Sequence, residues 1–237
     1  ATRQPGSAFK PFVYSAALEK GVTPTTLVAD EPIFVPADTP GGKDWSPKNY
    51  DGKYDGPMTI KEGLAKSKNM VSIRVLQEIT PQYGQRWATK FGFPAANVPP
   101  YLTMALGAVT TNPLQMANAF AVFANSGYRV KPYLIEKITD GSGRVVARAR
   151  PAVAGEEANR VIDARNAFLT TRLLREVVER GTATRAKVLN RSDIVGKTGT
   201  TNDSHDAWFA GYNSDISAVA WVGYDQPRNL GARETGG

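Results

Sequence analysis

The sequence contains no cysteine and a single histidine, His205, in 237 residues. Disulfides and thiolate chemistry are therefore excluded, and a zinc site of the usual histidine and cysteine type has no ligands to draw on. No stretch approaches the roughly 18 uncharged apolar residues that a membrane-spanning helix needs. The chain also opens without a basic segment followed by an apolar one, so an export signal or anchor is expected outside this sequence. Basic residues outnumber acidic ones by 29 to 22, but they are scattered, with no basic run and no basic stripe interleaved with aromatics. That argues against a nucleic-acid partner and fits a protein working beside anionic polymer or lipid. What remains is an ordinary globular composition, long enough for one large domain with a substantial core.

The local patterns predict helices first and strands last. Pro5-Gly6-Ser7 breaks the chain, and a helix is expected from about Ser7 to Lys20, with Pro11 confined to its first turn and Gly21 as its stop. Residues 22–57 are rich in turn formers, including Thr39-Pro40-Gly41-Gly42 and Asn49-Tyr50-Asp51-Gly52, and read as an ordered loop or a small β excursion. Thr59-Ile60-Lys61-Glu62 has the capping-box pattern of a short helix ending near Lys66. Further helices are expected over 70–79, about 83–90, 114–125 and 163–180, and a hairpin around Asp140-Gly141-Ser142-Gly143. Three β-rich runs, 194–201, 207–212 and 216–224, predict an antiparallel meander. Helices packed on a central antiparallel sheet, an α+β sandwich, is the fold class this order implies. Trp208, Phe209, Trp221 and Tyr224 read as sheet-face packing.

Three short segments carry possible chemistry. Ser7 and Lys10 stand three apart at a helix start, which places their side chains on one face, within reach of a direct hydrogen bond. A serine hydroxyl needs a base, and a lysine serves as one only when burial or nearby positive charge lowers its pKa. Taken alone the pair also reads as a cap serine and a solvated lysine. Ser67-Lys68-Asn69 falls between two helices, where a polar helix-end cluster is the plain alternative. Lys197-Thr198-Gly199-Thr200 lies on a strand, and its lysine, hydroxyls and edge N–H groups suit a peptide carboxylate and a strand-like ligand. A phosphate-loop reading of Gly196-Lys197-Thr198 fails, because position 191 is Arg where that pattern needs Gly.

Together, in this order and on these elements, the three motifs are far more specific than any one of them. The chain resembles the transpeptidases of the penicillin-binding proteins. Arg3-Gln4-Pro5-Gly6-Ser7-Ala8-Phe9-Lys10-Pro11-Phe12, the Asn49-Tyr50-Asp51-Gly52 loop, Gly181-Thr182-Ala183 and the run from Lys197 through Asp203 to Phe209 are similar to the class A, bifunctional members. The resemblance implies an acyl-enzyme cycle on D-Ala-D-Ala stem peptides of peptidoglycan, with Ser7 as nucleophile and Lys10 as base. It further implies that Ser67 and Asn69 relay a proton and hold the substrate amide, and that Lys197, Thr198, Gly199 and Thr200 hold the terminal carboxylate. The backbone N–H groups of Ser7 and Thr200 would form the oxyanion hole, no cofactor or metal would be needed, and β-lactams would acylate Ser7. The implied setting is the periplasmic side of the bacterial inner membrane, among other cell-wall synthesis proteins, with any membrane contact through an anchor outside this chain. Ser-Lys-Asn replaces the Ser-Asp-Asn of class A β-lactamases, and no segment supplies the glutamate that activates water there, so slow deacylation is expected. A D,D-carboxypeptidase and a penicillin-binding module without turnover remain alternatives. Strands ahead of Ser7 and a helix after Gly237 are expected from the resemblance, as are a glycosyltransferase domain and an anchor elsewhere.

Overall fold

The computed structural model describes residues 2–37, 43–201, 204–231 and 234–237. The turn expected at Thr39-Pro40-Gly41-Gly42 and the Asn202-Asp203 part of the last motif fall outside the described residues.

A 3₁₀ turn at Gly6–Phe9 runs into α1 (Lys10–Glu19), with Pro11 in its first turn as its missing N–H requires. Residues 10–17 of α1 are all buried, so this helix is wrapped on every side rather than amphipathic. β1 (Leu27–Asp30) pairs antiparallel with β2 (Gly56–Thr59), making the loop region a small two-stranded excursion. Thr59 and Glu62 form the expected capping box at the start of α2 (Ile60–Ala65): Thr59 Oγ1 accepts from the Glu62 N–H at 3.2 Å, and Glu62 accepts from the Thr59 N–H at 3.2 Å. α3 (Asn69–Ile79) follows, and α4 (Pro81–Lys90) begins two residues before its expected start at Tyr83. Thr80, at φ 70°, is the cause, since its hydroxyl accepts from Tyr83 and Pro81 fits the first helical position. α5 (Pro113–Ala124) is capped by Asn112, and α6 (Ala164–Arg180) by Asp163. Between them the hairpin β3 (Lys137–Thr139) and β4 (Val145–Arg148) stands exposed along both strands.

The last strands, β5 (Val195–Thr200), β6 (Asp206–Tyr212) and β7 (Ser217–Gly223), form the antiparallel meander in that order. Strand alternation puts Val195, Lys197, Gly199, Trp208, Ala210, Tyr212, Ser217, Val219 and Trp221 on one face. That face meets the helices: Tyr212 Oη pairs with Thr171 Oγ1 of α6 at 2.7 Å, Ser217 Oγ donates to the Ala117 carbonyl of α5 at 2.7 Å, and Trp208 Nε1 donates to the Gln4 carbonyl at 2.9 Å. Trp208 is wholly buried, Trp221 and Phe209 pack against the core, and Tyr224 departs from the expectation. β7 ends at Gly223, so Tyr224 leaves the sheet, is exposed, and lies beneath the Arg228 guanidinium.

α1 is fastened in the middle of the core by rings and by one polar junction. Phe12 sits 5.0 to 5.6 Å, centroid to centroid, from Phe9, Phe91, Phe93, Phe120 and Phe123, an array of mostly tilted and edge contacts that favours one packing. Ser15 Oγ donates to Asn166 Oδ1 of α6 at 2.6 Å and accepts from Trp87 Nε1 of α4 at 3.0 Å. The helix that follows Ser7 and carries Lys10 is thereby held against three others.

Candidate active site

Two close approaches bring the first and last motifs together. A Cβ at Gly199 would lie 2.2 Å from the Pro5 carbonyl oxygen, and one at Gly6 would lie 2.5 Å from the Thr200 carbonyl oxygen. Only glycine lets β5 and the 3₁₀ turn meet this closely, and Gly6 also sits at φ 53°. Thr200 therefore packs one residue from Ser7.

The middle motif arrives from the α2–α3 junction. Ser67 takes a left-handed conformation, φ 56°, which turns both its hydroxyl and its carbonyl toward the buried lysines. Lys10 Nζ donates to the Ser67 carbonyl at 2.7 Å, to Ser67 Oγ at 3.3 Å and to Asn69 Oδ1 at 2.8 Å. Lys197 Nζ donates to Ser67 Oγ at 2.9 Å and to the Thr198 carbonyl at 3.0 Å. Ser67 Oγ thus bridges two lysines drawn from α1 and β5, both 0% exposed. Burial holds Lys10 well below the usual lysine range, the Lys197 charge lowers it further, and Asp30 opposes both. Burial alone brings Lys197 down to about 7. Two buried amines, both held below the usual lysine range and sharing one hydroxyl, form a site able to accept and pass a proton.

The sequence places Ser7 and Lys10 within reach of a direct hydrogen bond, and none joins them among the described residues. The three acceptors presented by Ser67 and Asn69 occupy all three N–H positions of a Lys10 ammonium, and Ser7 is left partly exposed beside them. Alternation turns the Thr198 and Thr200 side chains to the face opposite Lys197, and the Thr198 hydroxyl pairs with Thr182 Oγ1 at 2.6 Å. Thr182, in the Gly181-Thr182-Ala183 segment, donates its N–H to the Ala65 carbonyl at the end of α2, tying the middle motif to β5. The Thr200 hydroxyl accepts the Gly236 N–H at 3.3 Å and donates to no acceptor among the described residues.

The backbone supplies further donors. Thr201 N–H bonds to the Asp206 carbonyl across the ladder, so by antiparallel alternation the N–H and C=O of Thr200 and Thr198 point away from β6, to the edge of the described sheet. Ser7 N–H is among the first of its turn, where no intrahelical acceptor exists. His205 takes no part in the arrangement: the neighbouring Asp206 carboxylate accepts from Trp221 Nε1 at 2.9 Å and faces Arg3 Nε at 3.7 Å. No cluster of metal-ligating side chains occurs among the described residues.

Known proteins share this arrangement of chain. A family model described as the penicillin binding protein transpeptidase domain matches residues 1–234. Penicillin-binding protein 1A of Neisseria lactamica is 51% identical over 237 residues, covering all of this chain and 30% of that protein. The crystal structure of penicillin-binding protein 1A from Haemophilus influenzae superposes with a TM-score of 0.93 at 38% identity, over 99% of this chain and 40% of that one. The penicillin-binding protein PonA1 from Mycobacterium tuberculosis, solved in complex with penicillin V, gives a TM-score of 0.80 at 28% identity, over 96% of this chain and 63% of that one. The chain therefore spans about a third of the length of the curated relatives it matches.

Proposed function

The chain belongs to the family of penicillin-binding protein transpeptidase domains, and on that premise we propose that Ser7 is the nucleophile of a two-step acyl transfer on D-Ala-D-Ala stem peptides. The observation that carries the reading is the Lys10–Ser67–Lys197 bridge, buried and depressed in pKa, set beside a partly exposed serine.

In the first step neutral Lys10 takes the Ser7 proton while Ser7 Oγ bonds to the carbonyl carbon of the penultimate D-Ala. A neutral amine has two N–H groups, so one of the three contacts of Lys10 is released, and the 3.3 Å contact to Ser67 Oγ is the longest. The oxyanion is met by the N–H groups of Ser7 and Thr200. The C–N bond then breaks, and the proton held at Lys10 passes through Ser67 to the departing amine of the terminal D-Ala. In the second step an amine of another stem peptide attacks the ester, Ser7 recovers its proton, and a cross-link results. An extended donor peptide fits the edge of β5 that no described strand pairs with, with the Lys197 charge, the Thr200 hydroxyl and the edge N–H groups of Thr198 and Thr200 near its carboxylate and Gly199 keeping the approach close. β-Lactams acylate Ser7 as mimics of that donor. The extracytoplasmic face of the inner membrane is the fitting location, although no described helix is long and apolar enough to cross a membrane.

Incubation with a penicillin, followed by intact mass and peptide mapping, tests the nucleophile. A single stable adduct is expected on the peptide containing Ser7, absent from Ser7→Ala. No adduct on a chain that circular dichroism shows to be folded refutes the reading. With a stem-peptide donor, a cross-linked product in the presence of an acceptor amine distinguishes transpeptidation from hydrolysis and from dead-end acylation.

A further inference from the structure

Asp30, at the end of β1, is 0% exposed yet belongs to none of the three motifs. Its carboxylate lies 3.3 Å from Lys68 Nζ, and Lys68 is itself buried. Lys68 also reaches Asp51 at 3.1 Å and Asp55 at 3.2 Å. Burial works against the Lys68 charge, but the hydrogen bonds it donates to Asp51 and Asp55 and the Asp30 charge raise its pKa overall. A buried ammonium paired in this way is a fixed point, because removing one partner strands the other charge.

That fixed point orients Asn49. Asn49 Nδ2 donates to Asp30 Oδ1 at 2.7 Å and to the Lys53 carbonyl at 2.7 Å. With its amide nitrogen committed to acceptors, the oxygen must face the other way. Asn49 Oδ1 accepts from the N–H groups of Asn69 at 2.8 Å and Met70 at 3.3 Å. Those are the first N–H groups of α3, whose own N-cap residue, Lys68, contributes no side-chain cap. Asn49 therefore caps α3 from a distant loop. The next residue back does the rest: Asn69 Nδ2 donates to the Lys48 carbonyl at 2.8 Å, which leaves Asn69 Oδ1 aimed at Lys10 Nζ. Asp30, Asn49, Asn69 and Lys10 form one unbroken line of hydrogen bonds from a sheet edge to the proposed base.

We propose that Asn49, oriented by the buried Asp30–Lys68 pair, is a positioning residue that holds Asn69 and through it aligns Lys10 for acylation. The inference rests on the reading of Lys10 as the base. It assigns a task to the Asn-Tyr-Asp-Gly loop, whose Asp51, together with the carbonyl of the following Lys53, accepts from the Lys68 ammonium, and to the lysine in the middle of Ser-Lys-Asn, which serves the protein and not the substrate.

The test compares wild type with Asn49→Ala and Asn49→Ser, the serine being able to accept the Asn69 N–H. Stopped-flow acylation by a fluorescent penicillin separates apparent binding from the acylation rate constant. Asn49→Ala is expected to slow acylation about 100-fold with binding changed by less than about threefold, and Asn49→Ser to recover most of the loss. A second readout does not need turnover: titration of ¹³Cε-labelled lysines follows Lys10 among the groups that face it, Lys197 from β5, Asp30 from β1, Ser67 and Asn69. Loss of the Asn69 acceptor disfavours the charged amine, so the Lys10 midpoint should fall in Asn49→Ala and return in Asn49→Ser. A folded Asn49→Ala that acylates within about twofold of wild type, or keeps the wild-type Lys10 midpoint, overturns the proposal. If Asn49→Ala does not fold, Asn49→Ser decides: a change below tenfold with an intact Lys10 midpoint supports it, and a larger loss refutes it. Absence of acylation in wild type instead refutes the Ser7 nucleophile, and the Lys10 titration still judges Asn49.

Discussion

Ser67 offers the sharpest perturbation, because its hydroxyl and its backbone make separable contributions. Its Oγ is the acceptor shared by Lys10 at 3.3 Å and Lys197 at 2.9 Å, and its φ is 56°. Ser67→Ala deletes the shared acceptor and leaves Lys197 with one bond, to the Thr198 carbonyl. An underbonded buried amine costs about 1 to 3 kcal/mol. The alanine also keeps the left-handed backbone, a conformation costing about 1 to 2 kcal/mol outside glycine. Ser67→Gly deletes the same hydroxyl but releases that strain, against roughly 0.5 to 1 kcal/mol of added chain entropy in the unfolded state. The glycine variant should thus be the more stable of the two by about 1 kcal/mol in urea denaturation, while both lose acylation by ~10²- to 10⁴-fold, the range for a positioned proton-transfer group. Activity would follow the hydroxyl and stability the backbone. Acylation of either folded variant within threefold of wild type would refute the relay.

Two further outcomes follow from the packing around that bridge. Lys197 titrates at about 7 in the folded chain against 10.5 when exposed, so between those values the unfolded state binds a proton that the native state has released. Stability from this group therefore rises with pH across that window and is flat below it; Lys197→Met should show a smaller gain between pH 7 and 10 by chemical denaturation, and an unchanged gain would contradict the depressed value. Gly199→Ala places a Cβ 2.2 Å from the Pro5 carbonyl oxygen and 2.9 Å from the Ala8 Cβ. It should lower stability by about 1 to 3 kcal/mol and slow acylation by ~10²-fold, as β5 and the turn bearing Ser7 move apart; wild-type values for both would show that their contact is not needed.

Much of this protein is written in short-range pattern. Absent cysteines and a lone histidine removed thiol chemistry and a zinc site of the usual histidine and cysteine type. The Thr59–Glu62 capping box, Asn112-Pro113 and the glycines after α1 and α6 marked helix ends, because caps depend on residues a few positions apart. The three motifs were legible for the same reason, each spanning three or four residues. Tertiary structure decided what those residues do to one another. Ser7 and Lys10 are neighbours on one turn, yet Lys10 is bonded to Ser67 and Asn69, nearly 60 positions away. Thr198 sits inside the last motif, yet strand alternation turns its hydroxyl to Thr182. Asp30 carries no motif signal at all, and the motifs that contain Asn49 and Lys68 give no hint of their pairing with it, since a buried charge is recognisable only once burial and its partners are known. Local sequence chooses elements and their ends; the pKa of a lysine and the line of hydrogen bonds that aims it belong to residues brought together only by the packed core.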